Sequence, residues 1–268
     1  MRPEEDCGLA ETALAVASGE HPRLDVDHYL GILEAFAREV SARRRPDATP
    51  SARALVDIAA LNEILFHEHG FAGDREEYFN PENCLLHRVM ERRRGMPITL
   101  AIVYVEVARR AGIPLEGVAF PGHFLVKHTG VVPALIIDVF AGGAILSDDD
   151  CQALLGSLHG PDARFHRSLL TNASRLGIVM RVLRNLKTAY VREEDFRRAL
   201  GVSQCLIDLE PVNAFEWRDR ALVRLRLDDT HGALADFERF LDLAEPDADT
   251  EEVEEAVVSL RRLHAKMN

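Results

Sequence analysis

Apolar residues recur at three-to-four spacing through the first part of the chain, which predicts helices separated by short breaks. Residues 9–18 are alanine-rich and end at Gly19-Glu-His-Pro22. Tyr29, Leu30, Leu33, Phe36, Ala37 and Val40 line one face of a second helix. Asp27 or a neighbour caps it, and Arg43-Arg44-Arg45-Pro46 ends it. Ser51 opens a third, with Leu55, Ile58, Ala59, Leu61, Ile64 and Leu65 as its apolar face and Gly70 as its stop. The stretch from Phe71 to Asn83, rich in Gly, Asn and Pro, predicts an irregular loop, and Leu85 to Arg94 a short helix ended by Gly95. From Pro97 to Arg110 apolar residues lie nearly all the way round, so this helix belongs in the core. Pro97 suits the first helical position, where a missing N–H costs nothing.

The period then changes. Leu115–Phe120, His123–His128 and Ala134–Phe140 are short β-prone runs with Gly and Pro between them, the pattern of an antiparallel meander. Asp148 to Leu158 predicts a small helix, and from about Leu169 the chain reads as helix to its end. A repeat runs through this last part: Ala199 and Ala233 stand 34 residues apart, the tetratricopeptide period. Tyr190, Trp217 and Phe237 supply the large residues around those alanines, and Pro211 and Pro246 close the two units. Thr250 to Lys266 is expected to cap the last apolar face. The fold class read from these patterns is α+β and mainly helical. A domain with a small antiparallel sheet is expected over 1–165 and helical repeats over 166–268.

Composition narrows the function classes. Apolar residues make up 47% and charged residues 28%, an ordinary globular balance, and the formal net charge is −12. That charge argues against a nonspecific nucleic-acid binder, which needs surplus Lys and Arg facing phosphate. The basic runs Arg92-Arg93-Arg94 and Arg109-Arg110 fall at expected helix ends, where cations complement the helix dipole. No apolar run approaches the ~20 residues that cross a bilayer. The acidic start lacks the basic-then-apolar order of a secretory signal, so a cytoplasmic protein is expected. Cysteines at 7, 84, 151 and 205 have no CxxC spacing and read as reduced, structural thiols.

The segment Gly95-Met-Pro-Ile-Thr-Leu-Ala-Ile through Ala111-Gly-Ile-Pro114, then Gly122-His123-Phe-Leu-Val and Ile137-Asp138, resembles the core of the transglutaminase-like superfamily. The resemblance implies a papain/transglutaminase-like core in which a buried helix carries a Cys at its start, followed by a strand His and a strand Asp. The physical logic is that of a thiol protease: a helix N-terminus stabilises a thiolate, the His takes its proton and the Asp orients the imidazole. Aligned on Gly112-Ile-Pro114, the cysteine position falls at Pro97, while His123 and Asp138 match the other two. Over residues 25–245 the chain is similar to the SirB-type transglutaminase-like/tetratricopeptide proteins. Asn80-Pro-Glu-Asn-Cys-Leu-Leu-His through Pro97, Phe120-Pro-Gly-His123, Asp138-Val-Phe-Ala-Gly-Gly143, Arg181-Val-Leu-Arg-Asn-Leu-Lys and Trp217-Arg-Asp-Arg220 carry the likeness. That family characteristically lacks the cysteine.

The expected function is therefore a catalytically inactive transglutaminase-like domain acting in protein–protein interaction or regulation. The alternative is a hydrolase or acyl transferase with a reassigned nucleophile, Thr99 or Cys84, working with His123 and Asp138 on a peptide or amide. Without a nucleophile, His123 and Asp138 read as a buried structural or ligand-orienting pair. No cofactor and no metal is expected: His67 and His69 diverge on a helix, and His123 and His128 point to opposite strand faces. A protein or peptide partner is expected, with Arg184 and Arg218 as candidate binding residues at equivalent places in successive repeats. Nucleic acid and membrane are not expected as partners, and the oligomeric state is left open.

Overall fold

A computed structural model describes residues 8–44, 49–245 and 248–267. Cys7, Arg45-Pro46 and Pro246 lie outside the described residues. Two compact units follow one another, Met1–Val182 and Leu183–Asn268.

The first unit opens with α1 (Leu9–Ser18), α2 (Val26–Arg43) and α3 (Pro50–Asn62). Asp25 caps α2 by accepting from the His28 N–H, two residues ahead of the expected cap, and Thr49 caps α3 with Pro50 as its first residue. Ala54, Ile58 and Leu61 face inward from α3, whereas Leu55 and Ala59 are exposed. Ile58, Leu61, Ile64 and Leu65 are buried as expected, the last two on a π-turn at Glu63–Glu68 into which the helix continues.

The expected loop from Phe71 holds two ordered pieces. β1 (Ala72–Gly73) pairs in parallel with β2 (Arg94–Gly95), and a 3₁₀ turn at Pro81–Asn83 leads into α4 (Leu86–Arg92). The central helix α5 (Pro97–Arg110) has the expected bounds, with Pro97 at its first position. All its residues except Val105, Arg109 and Arg110 are buried. It packs on α1, α2, α3 and α4 and on the sheet. That sheet is an antiparallel meander in the order β3 (Leu115–Val118), β4 (Leu125–His128), β5 (Leu135–Asp138) and β6 (Ala144–Leu146), the last not anticipated from the pattern. α6 (Asp148–His159) follows behind a Ser147 cap and closes a second apolar cluster with Val118, Phe120, Leu125 and Ile136.

α7 (Arg175–Arg192) contains the division between the units. Its first turns belong with the sheet because Ile178 sits over Gly117 and Arg181 reaches the Phe120 carbonyl. In the second unit α8 (Phe196–Leu209), α9 (Ala214–Arg226), α10 (Thr230–Leu243) and α11 (Glu251–Met267) stack in sequence. Ala199 and Ala233 are fully buried, as close helix approach requires. Val253, Val257 and Leu260 of α11 cover Phe237 and Phe240 of α10, so α11 caps the array. The protein is thus mainly helical with a small antiparallel sheet and a carboxy-terminal helical repeat. Among the described residues no helix is long and apolar enough to cross a membrane.

Candidate functional site

Two turns bring the His and Asp of the sequence pattern together. His123 sits in the β3–β4 connection, where its N–H bonds the Phe120 carbonyl. Asp138 ends β5, and its Oδ1 accepts from the Phe140 and Ala141 N–H groups at 3.0 and 3.2 Å, folding the Asp138–Gly143 turn around the carboxylate. The Gly143 N–H closes that turn on the Asp138 carbonyl. Gly143 has a φ of +79°, and a Cβ there would overlap the Asn62 side chain, so only glycine fits. His123 Nε2 lies 3.0 Å from the same Asp138 Oδ1, with both residues buried. An ionised carboxylate only accepts, so Nε2 donates and Nδ1 keeps the lone pair. Nδ1 makes no hydrogen bond among the described residues, which leaves it free to accept a hydrogen bond from a ligand. The ring edge meets Phe140 at 6.0 Å between centroids, and Tyr78 meets Phe140 from another side at 5.9 Å.

The start of α5 is a separate matter. Thr99 is buried and its hydroxyl donates to the Asn83 carbonyl at 2.6 Å, with the Met96 carbonyl 3.1 Å away. Cys84 is buried with its Sγ 3.2 Å from Met96 Sδ, and burial pushes its thiol up to about 12. Both candidate nucleophiles are turned toward Met96 and Asn83, and neither bonds His123. Cys151 is buried too, its thiol pushed up to about 11 by burial and then by Asp148 and Asp150.

The histidines weighed as metal ligands have other partners. His69 Nε2 lies 2.9 Å from Glu39, His67 is exposed, and His128 accepts from the Gly130 N–H with Asp57 3.6 Å away. Among the described residues no group of three or more His, Cys, Asp or Glu could hold a metal. In the basic runs Arg92 pairs with Asp74 and Glu82, and Arg109 and Arg110 with the buried Glu106, whereas Arg93 lies over the Phe36 and Phe71 rings and Arg94 bonds the Gly70 carbonyl.

In the repeat unit Arg184 forks between Glu216 at 2.6 Å and Glu210 at 3.1 Å. Arg218 lies over the Phe215 ring, with one nitrogen 3.2 Å from Asp219 and its Nε buried without a partner. Sequence reasoning missed three further ion pairs because they join residues far apart in the chain. Lys187 is buried between Glu216 and Asp219, each at 2.7 Å, and Arg220 makes a two-pronged bond to the buried Asp236 at 2.7 and 2.8 Å. Beside them is a cavity of about 520 Å³ lined mainly by apolar groups, among them Val191, Phe196, Leu222 and Leu225, with Arg226 over the Phe196 ring. A titratable cluster was also missed at the α1–α2 turn. His87 is buried with its Nδ1 unpartnered, its ring edge-on to His21 at 4.7 Å and to Tyr29 at 5.9 Å.

A buried helix feeding a four-stranded meander, with a His–Asp pair across two of its turns and a helical array following it in the chain, defines a transglutaminase-like domain in tandem with tetratricopeptide helices. The profile of the transglutaminase-like superfamily matches residues 27–184, and a tetratricopeptide-repeat profile matches residues 186–257. A UPF0162 protein of Xylella fastidiosa (strain Temecula1) is 36% identical over 244 residues, spanning 90% of this chain and 85% of that one. A UPF0162 protein of Pseudomonas aeruginosa is 34% identical over 244 residues, 90% of this chain and 87% of that one. A stretch of 107 residues, 37% of this chain and 17% of the other, is 36% identical to F-box only protein 21 of Mus musculus. The chain belongs to the transglutaminase-like superfamily and, within it, to the UPF0162 family.

Proposed function

We propose that this protein is a cytoplasmic binding protein. In this reading its transglutaminase-like domain holds a ligand without turning it over, and its tetratricopeptide helices dock a protein partner. The observation that carries the reading is the state of Cys84. Pro97 occupies the first position of α5, and Cys84, just ahead of that helix, is sealed against Met96 with its thiol pushed up to about 12. At pH 7 such a thiol supplies almost no thiolate, the species that attacks an amide. The Thr99 hydroxyl spends its proton on a backbone carbonyl and stands buried away from any base. His123 and Asp138 then serve to orient a ligand and to hold the turn around Phe140.

The test is amine incorporation. The protein is incubated with a glutamine-containing peptide and a labelled primary amine, beside His123→Ala. No product above the variant's background is expected. Product that disappears with His123→Ala would overturn the reading in favour of a reassigned nucleophile.

The docking role is supported by the repeat unit's half-exposed apolar positions. Leu222 is 50% exposed and Val191 39% exposed at the mouth of the same cavity. Arg184 and Arg218, the first candidates for partner binding, already engage acidic neighbours and contribute less free charge than their exposure suggests. Pull-down with wild type and Leu222→Asp should recover different partner sets; identical sets would count against docking there.

A further inference from the structure

Arg181 is a cation without an acid. Its guanidinium is partly buried, and its one hydrogen bond goes to the Phe120 carbonyl at 3.3 Å. Its flat face lies 5.7 Å from the centroid of Phe124. Phe120 and Phe124 bracket His123 in the chain, so both contacts fix Arg181 on the connection that carries the imidazole. No carboxylate lies within ion-pairing distance among the described residues, and burial pulls the guanidinium below its ordinary value. A desolvated guanidinium left unpaired is costly, and it persists where something else supplies the negative charge.

Two other groups converge on the same place. The Tyr78 phenol, half-buried against Phe140, makes no hydrogen bond among the described residues. Burial holds it above its ordinary value, and the charge of Arg181 pulls it back. His123 presents the unbonded Nδ1 described above. Arg75 adds a solvated cation at the rim, 5.2 Å above the Phe140 ring. Tyr78 and His123 thus meet at the Phe140 ring, and Arg181, held on Phe124, is close enough for its charge to act on the Tyr78 phenol.

We propose that this site binds the carboxylate of a peptide, with Arg181 as the ion-pairing anchor and Tyr78 and His123 as flanking hydrogen-bonding groups. A guanidinium fork matches a carboxylate in shape and charge. A phosphate dianion would carry more charge than the one buried cation balances, and would sit beside the Asp138 carboxylate. The partly exposed Phe140 ring suits an apolar residue next to that carboxylate. The inference rests on the reading of this site as one that binds.

The test uses benzoylglycine as probe, with its primary amide and inorganic phosphate as controls, titrated into the full chain carrying ¹³C-labelled histidine. His123 is assigned by comparison with His123→Gln. Benzoylglycine should shift the His123 signal saturably and bind about tenfold or more tightly than the amide. Arg181→Met should remove that preference, and Tyr78→Phe, which deletes one hydroxyl and leaves the ring, should weaken binding several-fold with unchanged melting. Equal binding of acid and amide, tighter binding of phosphate, or full affinity in Tyr78→Phe together with Arg181→Met would overturn the proposal. Mass spectrometry of the amide arm separates this result from the preceding one. Hydrolysis of the amide sinks the non-catalytic reading while leaving the anchor in place, and absence of carboxylate binding sinks only the anchor.

Discussion

Arg181 and Arg184 stand one turn apart on α7 and are treated in opposite ways. Arg184 is clamped between Glu210 and Glu216, while Arg181 has a carbonyl oxygen and the face of Phe124 but no acid. Both units neutralise cations by pairing; in the first, Arg110 is held by the buried Glu106 and Arg44 by the buried Asp57. The repeat unit neutralises its buried cations internally, Lys187 with Glu216 and Asp219, Arg220 with Asp236. Each of those pairs joins different helices, so the charges set how neighbouring helices register. Arg181, on the connection that carries His123, has no such acid among the described residues. Charge serves packing at those pairs and is held open for a ligand at Arg181.

The contrast is broken most directly by removing the acid from one side and the cation from the other. Asp236→Ala leaves Arg220 buried without its partner and is expected to cost about 3–5 kcal/mol. Trp217 is the one tryptophan in the chain, so its fluorescence in urea reports on the repeat unit. Arg181→Met deletes a cation that no acid balances and should change stability by under about 1 kcal/mol. If the arginine change proved the costlier of the two, Arg181 would be a structural residue and the contrast would collapse.

Next in size is Gly73→Ala. A Cβ at Gly73 would stand 2.5 Å from the Phe140 ring, the platform under His123 and Tyr78. Overpacking there should cost about 1–3 kcal/mol and displace the His123 carbon signal even without ligand. A destabilised variant with an unmoved His123 signal would separate Phe140 from the site.

Asp138 sharpens the question of what the His–Asp pair is for. Asp138→Ala loses an acceptor for two backbone N–H groups and should cost about 1–3 kcal/mol. Asp138→Asn keeps an acceptor oxygen in the same place and should cost clearly less. Equal losses in urea titrations would show that the charge matters to the turn and the geometry does not.

Much of this was legible before any coordinates. α5 could be bounded from Pro97 to Arg110 because its apolar residues encircle it and a proline and a glycine-proline turn mark its ends. The His123–Asp138 contact followed from a resemblance, since nothing in the spacing of two residues on different turns announces a 3.0 Å bond. β6 escaped because Ala144–Leu146 is three residues long and mostly exposed, with no inward stripe to read. The change to continuous helix could be seen near residue 169, whereas the division of the fold inside α7 depends on Ile178 and Arg181 meeting Gly117 and Phe120. The roles of Arg181 and Arg184 were equally hidden. Whether a cation has a partner is decided by acids 26 and 32 residues away in the case of Arg184.

His87 shows a third treatment of a buried basic group, which is to keep it neutral. Burial lowers its imidazole from 6.5 to about 4, with His21 adding to the shift, and its Nδ1 has no partner. Between those two values the unfolded chain takes up a proton that the native chain refuses, so unfolding is favoured as pH falls. Above 6.5 both states hold a neutral ring and the effect is absent; below about 4 both are protonated and the loss is complete. The urea midpoint of the wild type should therefore drop between pH 7.5 and pH 5 by more than that of His87→Phe, which keeps a ring against His21 and Tyr29 but cannot take a proton. Every other titrating group is shared by the two proteins, so the difference between the two drops isolates His87. Parallel drops would mean that water or a neighbouring group satisfies the ring in its charged form.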